Sequence, residues 1–242
     1  MEMLEMVRFC WGFVMLVLET CKRAAVLILA QLMPSLKSSL EEDMVEVMRD
    51  TALKEDDYLD TLYSFKYLRQ YFNARFIDLF CQARLSGPAP NPHVLTLSGE
   101  RVGILSAMKP GRPLLRHFNS VVKGYADLAD FRIVYIREAH PTDGWAFRNN
   151  YDIKVHRSLR DRMDAAEQLV ARKPACPVLV DDIHDESNYA YGGLPERLYI
   201  VLDSRVVYAG HRGPAGYVVK EVEDWLAAFR KLQDGGRANG KA

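Results

Sequence analysis

The chain has 242 residues, 49% of them apolar and 26% charged, a balance that suits a globular domain with an appendage and excludes a disordered chain. Lysine plus arginine equals aspartate plus glutamate at 32 each, and no basic stripe with interleaved aromatics stands out, so nucleic acid is excluded as an expected partner. The four cysteines, Cys10, Cys21, Cys81 and Cys176, form no C-x-x-C and keep no zinc spacing to a histidine, so they read as reduced thiols.

At the amino terminus two apolar runs, Phe9–Leu18 and Ala24–Met33, flank the polar stretch Glu19–Arg23. As one helix, Phe9–Met33 would be roughly 37 Å long, more than the ~30 Å hydrocarbon core of a bilayer. Yet Glu19, Lys22 and Arg23 would then lie mid-membrane, where each charge costs on the order of 2.5–3.5 kcal/mol. Helical spacing offers Glu19 an internal pairing with Lys22 and Arg23. A single-pass anchor, a helix lying in the interface and a soluble helix all remain open on the residues alone. Glu2 and Glu5 argue against a cleaved signal peptide.

The stretch from Pro34 to Arg84 reads as helical. Tyr58, Leu62 and Phe65, and more loosely Tyr71, Phe72, Phe76 and Phe80, recur at packing intervals. No catalytic pattern occurs there, and the expectation is a juxtamembrane linker with a packing helix. Ser86-Gly-Pro-Ala-Pro-Asn-Pro92 is a breaker and the expected domain boundary. The expected organisation is therefore an anchor over 1–35, a helical linker over 36–85, a folded domain over 86–232 and a disordered tail over 233–242.

Within that domain, His93–Leu97 fits a short entry strand, Ser120–Ala126 the end of a helix, and Phe131–Ile136 a central strand. Ser158 followed by Asp161 forms a capping box for a helix over Leu159–Arg172, with Leu159, Met163, Ala166 and Val170 as its inner stripe and Pro174 as its stop. Val178–Val180 reads as a buried strand. Leu198–Leu202 and Arg205–Ala209 read as a hairpin about Asp203-Ser204, and Val222, Trp225, Leu226 and Phe229 form the apolar face of a last helix. This order predicts an α/β domain of thioredoxin-like pattern, with Pro195 at a place where that fold often carries a cis proline.

The most informative stretch is Val134-Tyr-Ile-Arg-Glu-Ala-His-Pro-Thr-Asp-Gly-Trp145. A buried strand runs into a polar mouth, and Glu138 and His140, two residues apart, face one way while the chain stays extended. An acid and an imidazole at a strand's carboxyl end can relay a proton near neutral pH. The bland alternative is a helix cap or a surface hydrogen bond.

This stretch resembles the iodothyronine deiodinases, whose corresponding strand reads Y-I-E-E-A-H followed by D-G-W. Ala89-Pro-Asn91, Gly111-Arg-Pro-Leu114, Glu196-Arg-Leu-Tyr199 and Arg212-Gly-Pro214 match the same family in the same order. The resemblance implies reductive removal of iodide from thyroid hormones by a membrane-anchored homodimer. No bound cofactor is implied; a thiol reductant serves as cosubstrate. It assigns Tyr135, Glu138 and His140 to proton handling, and His156 and Arg212 to the hormone's polar ends. Where Arg137 stands the family usually has a second glutamate. His93, His117, His184 and His211 have no site-like spacing.

One part of the family pattern is missing. After R-P-L the family has a strand and turn reading approximately V-L-N-F-G-S-C-T-U-P-P-F, where U is selenocysteine, the nucleophile. Here Arg112-Pro-Leu-Leu115 is followed at once by Arg116-His-Phe-Asn-Ser, which resembles the helix after the selenocysteine. Roughly fifteen residues are absent, enough for a strand of roughly 5–6 residues, the catalytic turn and a helical turn. Two accounts compete. Either an in-frame UGA codon was passed over in translating the gene, or the chain is a catalytically inactive family member that binds hormone or pairs with active subunits. Register retained on both flanks favours the first. Cys176, which precedes a strand, is expected to be a packing residue and no substitute nucleophile.

Overall fold

The computed structural model describes residues 3–49, 54–106, 114–115 and 119–239. Two compact units divide the chain: Met1–Cys81 with Arg137–Arg157, and Gln82–Ile136 with Ser158–Ala242.

The first unit is helical. Helix α1 spans Met3–Leu32 and α2 spans Pro34–Met48. The break falls at Met33, which is extended, and Pro34 opens α2 at a position where its missing N–H has no intrahelical role. The short α3, Glu55–Tyr58, leads into a 3-10 turn over Leu59–Tyr63. Ser64 then caps α4, Phe65–Asp78, by accepting from the Tyr67 N–H.

Helix α1 packs on α4 through rings. Phe9 meets Phe80 at 5.3 Å, and Phe13 meets Phe72 and Phe76 at 6.4 and 6.2 Å between centroids. Leu16 and Ala30 are buried along the same helix. Glu19 and Arg23 of α1 find partners across this packing, in place of the pairing along their own helix that the spacing predicts. Glu19 pairs with Arg75 at 3.2 Å, and Arg23 lies 4.4 Å over the Tyr71 ring. Trp11, Leu18, Leu29 and Leu32 stay exposed. Among the described residues no helix is long and apolar enough to cross a membrane, because the charged middle of α1 interrupts its two apolar runs.

The second unit is α/β. Strands β1 (His93–Leu95) and β2 (Arg101–Gly103) form a hairpin. β3 (Leu114–Leu115), α5 (Asn119–Tyr125), β4 (Asp130–Phe131), β5 (Ile133–Tyr135), α6 (Leu159–Val170) and β6 (Val178–Asp181) follow. α7 (Glu186–Tyr191), the hairpin β7 (Tyr199–Leu202) and β8 (Arg205–Ala209), and α8 (Val219–Asn239) complete it. This parallel strand–helix–strand order, closed by an antiparallel hairpin and a helix, is the one expected of a thioredoxin-like domain. Asp203 and Ser204 both take positive φ, 48° and 59°, as a tight two-residue hairpin turn requires.

The sheet is split. One sheet runs β2-β1-β6-β5 and the other β4-β3-β7-β8. The predicted central strand Phe131–Ile136 is shared between them: β4 pairs with β3, whereas β5 pairs with β6. Among the described residues, β3 pairs with Asp130 and Phe131 on that side. Among the described residues, β5 therefore forms a sheet edge. Gly111–Pro113 and Arg116 lie outside the described residues.

The core gathers Val121, Phe131, Ile133, Val178, Leu198, Ile200, Val222 and Leu226, with Cys176 buried among them. Two expectations shift. The capping box of α6 forms, with Ser158 Oγ and Asp161 exchanging bonds with each other's backbone, but its buried face includes Arg162 in place of Met163. Arg162 is buried because its guanidinium reaches Asp185 at 2.9 Å and the Asp182 carbonyl. Helix α8 continues to Asn239, past residue 232, where a disordered tail was expected. Lys231, Leu232 and Gln233 are good helix formers and extend it.

Candidate functional site

Strand β5 ends at Tyr135, half-buried and in register with Val180 of β6. Beyond it the chain passes into the first unit, so Tyr135 belongs to the α/β unit, whereas Glu138, His140 and His156 belong to the helical one. Glu138 is half-buried.

The loop carrying His140 is built on its own backbone. Pro141 and Gly144 make a turn closed by the Gly144 N–H on the Pro141 carbonyl at 2.9 Å. A Cβ on Gly144 would come within 2.7 Å of the Pro141 ring, so this tight return needs glycine. Asp143 accepts from the Val155 N–H at 2.8 Å, and Thr142 N–H donates to the Ile153 carbonyl at 2.8 Å. The first of these bonds holds the Asp143 carboxyl below its ordinary range. Together they explain Asp-Gly: the aspartate pins the far arm near His156, and the glycine turns Trp145 back over His140.

His140 is enclosed by rings. Phe147 stacks on it at 3.7 Å between centroids, and Trp145 meets it edge-on at 4.6 Å. Its Nδ1 lies 3.3 Å from the Trp145 carbonyl oxygen. Burial lowers its pKa to about 4, against a weaker opposing effect of that carbonyl. The imidazole is thus neutral near pH 7. With a carbonyl as partner, Nδ1 carries the proton and donates, and Nε2 is left with a lone pair to accept.

Several supporting residues carried no sequence mark. Trp145 Nε1 donates to Thr61 Oγ1 at 2.9 Å, and its ring lies 4.9 Å from Tyr67. Gln70 Nε2 donates to the Ala139 carbonyl at 3.0 Å. Asp57 accepts from Asn149 Nδ2 at 2.6 Å and offers its backbone carbonyl to the Arg148 N–H at 2.8 Å. The segment read as a linker therefore grips the loop. The predicted stripe through Phe65 is out of phase, since Phe65 is 80% exposed and Tyr67 is buried. Ser64 starts a new helix there and resets the spacing.

In the α/β unit, Arg212 lies half-buried in the turn after β8. Gly213 N–H donates to the Glu196 carbonyl at 3.0 Å. A Cβ on Gly213 would fall 2.4 Å from Glu196 Cγ, so glycine lets the Glu196 side chain lie against the Arg212 turn. Burial of the Glu196 carboxyl raises its pKa. Leu194-Pro195, just before it, is cis, as expected. Burial likewise pushes the Cys176 thiol up, away from the thiolate a nucleophile needs. Among the described residues no cluster of histidine, cysteine, aspartate or glutamate could hold a metal ion.

The family profile described as iodothyronine deiodinase matches residues 7–230. The chain is 42% identical over 186 residues to a thyroxine 5-deiodinase of Sparus aurata, covering 70% of each. It is 35% identical over 212 residues to a type I iodothyronine deiodinase of Xenopus laevis, covering 81% of this chain and 84% of that one.

The chain belongs to the iodothyronine deiodinase family.

The matched span takes in both units and all five residues that the resemblance assigns, Tyr135, Glu138, His140, His156 and Arg212. Among solved structures, a thioredoxin-like protein from Porphyromonas gingivalis matches over 61% of this chain and 92% of its own, with 14% identity and a TM-score of 0.39.

Proposed function

We propose that the complete protein is an oxidoreductase that removes iodide reductively from iodothyronines such as thyroxine. The family match over residues 7–230 carries this reading. In it, the ring carbon that loses iodine gains a proton, and an external thiol reductant supplies the electrons. The selenocysteine of the family pattern supplies the soft nucleophile for iodine, and its place is the Leu115–Arg116 junction.

Glu138, His140 and Tyr135 handle the proton. The neutral His140, donating from Nδ1 to the Trp145 carbonyl, presents an Nε2 that accepts a proton and passes it on. Arg212 suits the hormone's carboxylate and His156 its phenolic oxygen, a fork of donors and a single imidazole for two unlike anionic ends. The protein acts as a homodimer at a membrane surface. The exposed apolar residues of α1, Trp11, Leu18, Leu29 and Leu32, would enter the interface while its charges stay paired on α4. Flotation with vesicles tests that arrangement, and loss of flotation on Trp11→Asp and Leu18→Asp supports it.

A second reading rests on the same junction. The direct passage from Leu115 to Arg116 and the burial of Cys176, the cysteine of the α/β unit, support a non-catalytic member that binds hormone. Expression from the complete transcript with selenium supplied separates the two. Iodide release supports the oxidoreductase, and hormone binding without release supports the binder.

A further inference from the structure

We propose that Tyr67 is a positioning residue for His140, acting through the edge-on contact of its ring with the Trp145 ring.

His140 has two ring neighbours in its own loop, Phe147 and Trp145, and the second is fixed from outside the loop. Trp145 presents its edge to Tyr67 and its indole N–H to Thr61. Both anchors come from one local structure. Ser64 Oγ donates to the Thr61 carbonyl at 2.7 Å and accepts from the Tyr67 N–H at 3.1 Å, so Thr61 and Tyr67 keep a set separation. Gln70, one helical turn beyond Tyr67, holds the Ala139 carbonyl, beside His140 itself. α4 thus fixes the loop at two points flanking the imidazole.

Tyr67 is in turn fixed from α1. It is 5% exposed, and Arg23 donates to its hydroxyl while lying 4.4 Å over the neighbouring Tyr71 ring. A buried phenol needs such a partner, and a guanidinium stacked on one tyrosine and bonded to another has little freedom left. The sequence Arg23, Tyr67, Trp145, His140 runs through the helical unit without a gap. Titratable and charged groups reach the rings around His140 from three sides: Tyr58 lies against Phe147, Tyr67 against Trp145, and Arg23 over Tyr67 and Tyr71, while Glu138 precedes His140 by two residues in the same loop. The rings exclude water, and that exclusion keeps the imidazole neutral.

The inference rests on His140 having the proton-handling role given above, and its test has two readouts that separate the two claims. The first is an NMR titration of the full chain labelled at histidine Cε1, which needs no turnover. His140 in the parent titrates near its lowered value of about 4. In Tyr67→Leu the Trp145 ring loses its backing, water reaches the imidazole, and the midpoint rises by more than about one pH unit. Tyr67→Phe keeps the ring edge and holds the midpoint within about 0.3 unit of the parent. Thr61→Val, which removes the indole's acceptor without opening the packing, raises it by an intermediate amount. The second readout is kinetic, on the selenocysteine-restored protein: Tyr67→Leu lowers kcat by about tenfold with KM within about twofold, and Tyr67→Phe restores it. A His140 midpoint unchanged in both Tyr67→Leu and Thr61→Val overturns the proposal. A moved midpoint with unchanged kcat keeps the positioning and removes His140 from the chemistry.

Discussion

Replacing His140 by glutamine should remove a pH dependence of stability that the ring enclosure creates. In the fold the imidazole is depressed to about 4 from its ordinary 6.5. Between those values the unfolded chain binds a proton that the folded chain refuses, so stability is full above pH 6.5 and falls as pH drops toward 4. Working the linkage for these two values, native stability loses about 2 kcal/mol at this one group between pH 7 and pH 5. Asp181 opposes it over the same window. That carboxyl is fully buried, burial pushes it up to about 6, and its charged form costs stability as pH rises through that value. The parent protein alone would therefore show a muted slope. Urea unfolding of the parent and of His140→Gln at pH 7 and pH 5, followed by tryptophan fluorescence, isolates the histidine because Asp181 is common to both. The parent should lose about 2 kcal/mol more than the variant on acidification. Equal losses in the two proteins would refute the enclosure as the cause of the neutral imidazole.

Other outcomes follow from single contacts. Arg162→Ala leaves Asp185 buried without its cation and should cost about 3–5 kcal/mol in denaturant unfolding, whereas Arg162→Met with Asp185→Asn should recover most of that loss. Gly213→Ala forces the Glu196 side chain away from the Arg212 turn and should raise KM for iodothyronine about tenfold with a smaller effect on kcat; an unchanged KM would separate Arg212 from substrate binding. Native-state thiol labelling should reach Cys10 and Cys21 quickly and Cys176 only on unfolding, as burial and a raised thiol pKa require.

Several strands and helices of the α/β unit were legible because their signals are local, whereas the short β2, β3 and α7 were not. The Asp203-Ser204 turn, the Ser158–Asp161 capping box and the Val222–Leu226 face each specify structure within a few residues. Arg162 was not legible as a core residue. A lone arginine on an amphipathic helix is buried only if a distant carboxylate waits for it, and Asp185 lies 23 positions on. The membrane expectation shows a similar limit: hydropathy registers the charges of α1 but not the Arg75 and Tyr71 partners that α4 supplies. Glu138 and His140 could be read as candidates from their spacing and family likeness, though β5 stops at Tyr135 and leaves both in the loop beyond it. Thr61, Tyr67 and Gln70 could not, because hydroxyls, rings and amides at helical intervals look like ordinary packing until the loop they hold is in place. The split sheet had a sequence precursor, the direct passage from Leu115 to Arg116, and β3 with its two residues lies at that junction.

We propose that the segment missing after Leu115 is what separates this chain from deiodinase activity. Iodide release from iodothyronine, with a dithiol as reductant, measures it directly on two proteins: the chain as written, and the same chain with the selenocysteine segment restored between Leu115 and Arg116. The restored protein should release iodide, His140→Ala should abolish that release, and the chain as written should release none. Equal release by both, or none by the restored protein while it binds hormone, would contradict that proposal.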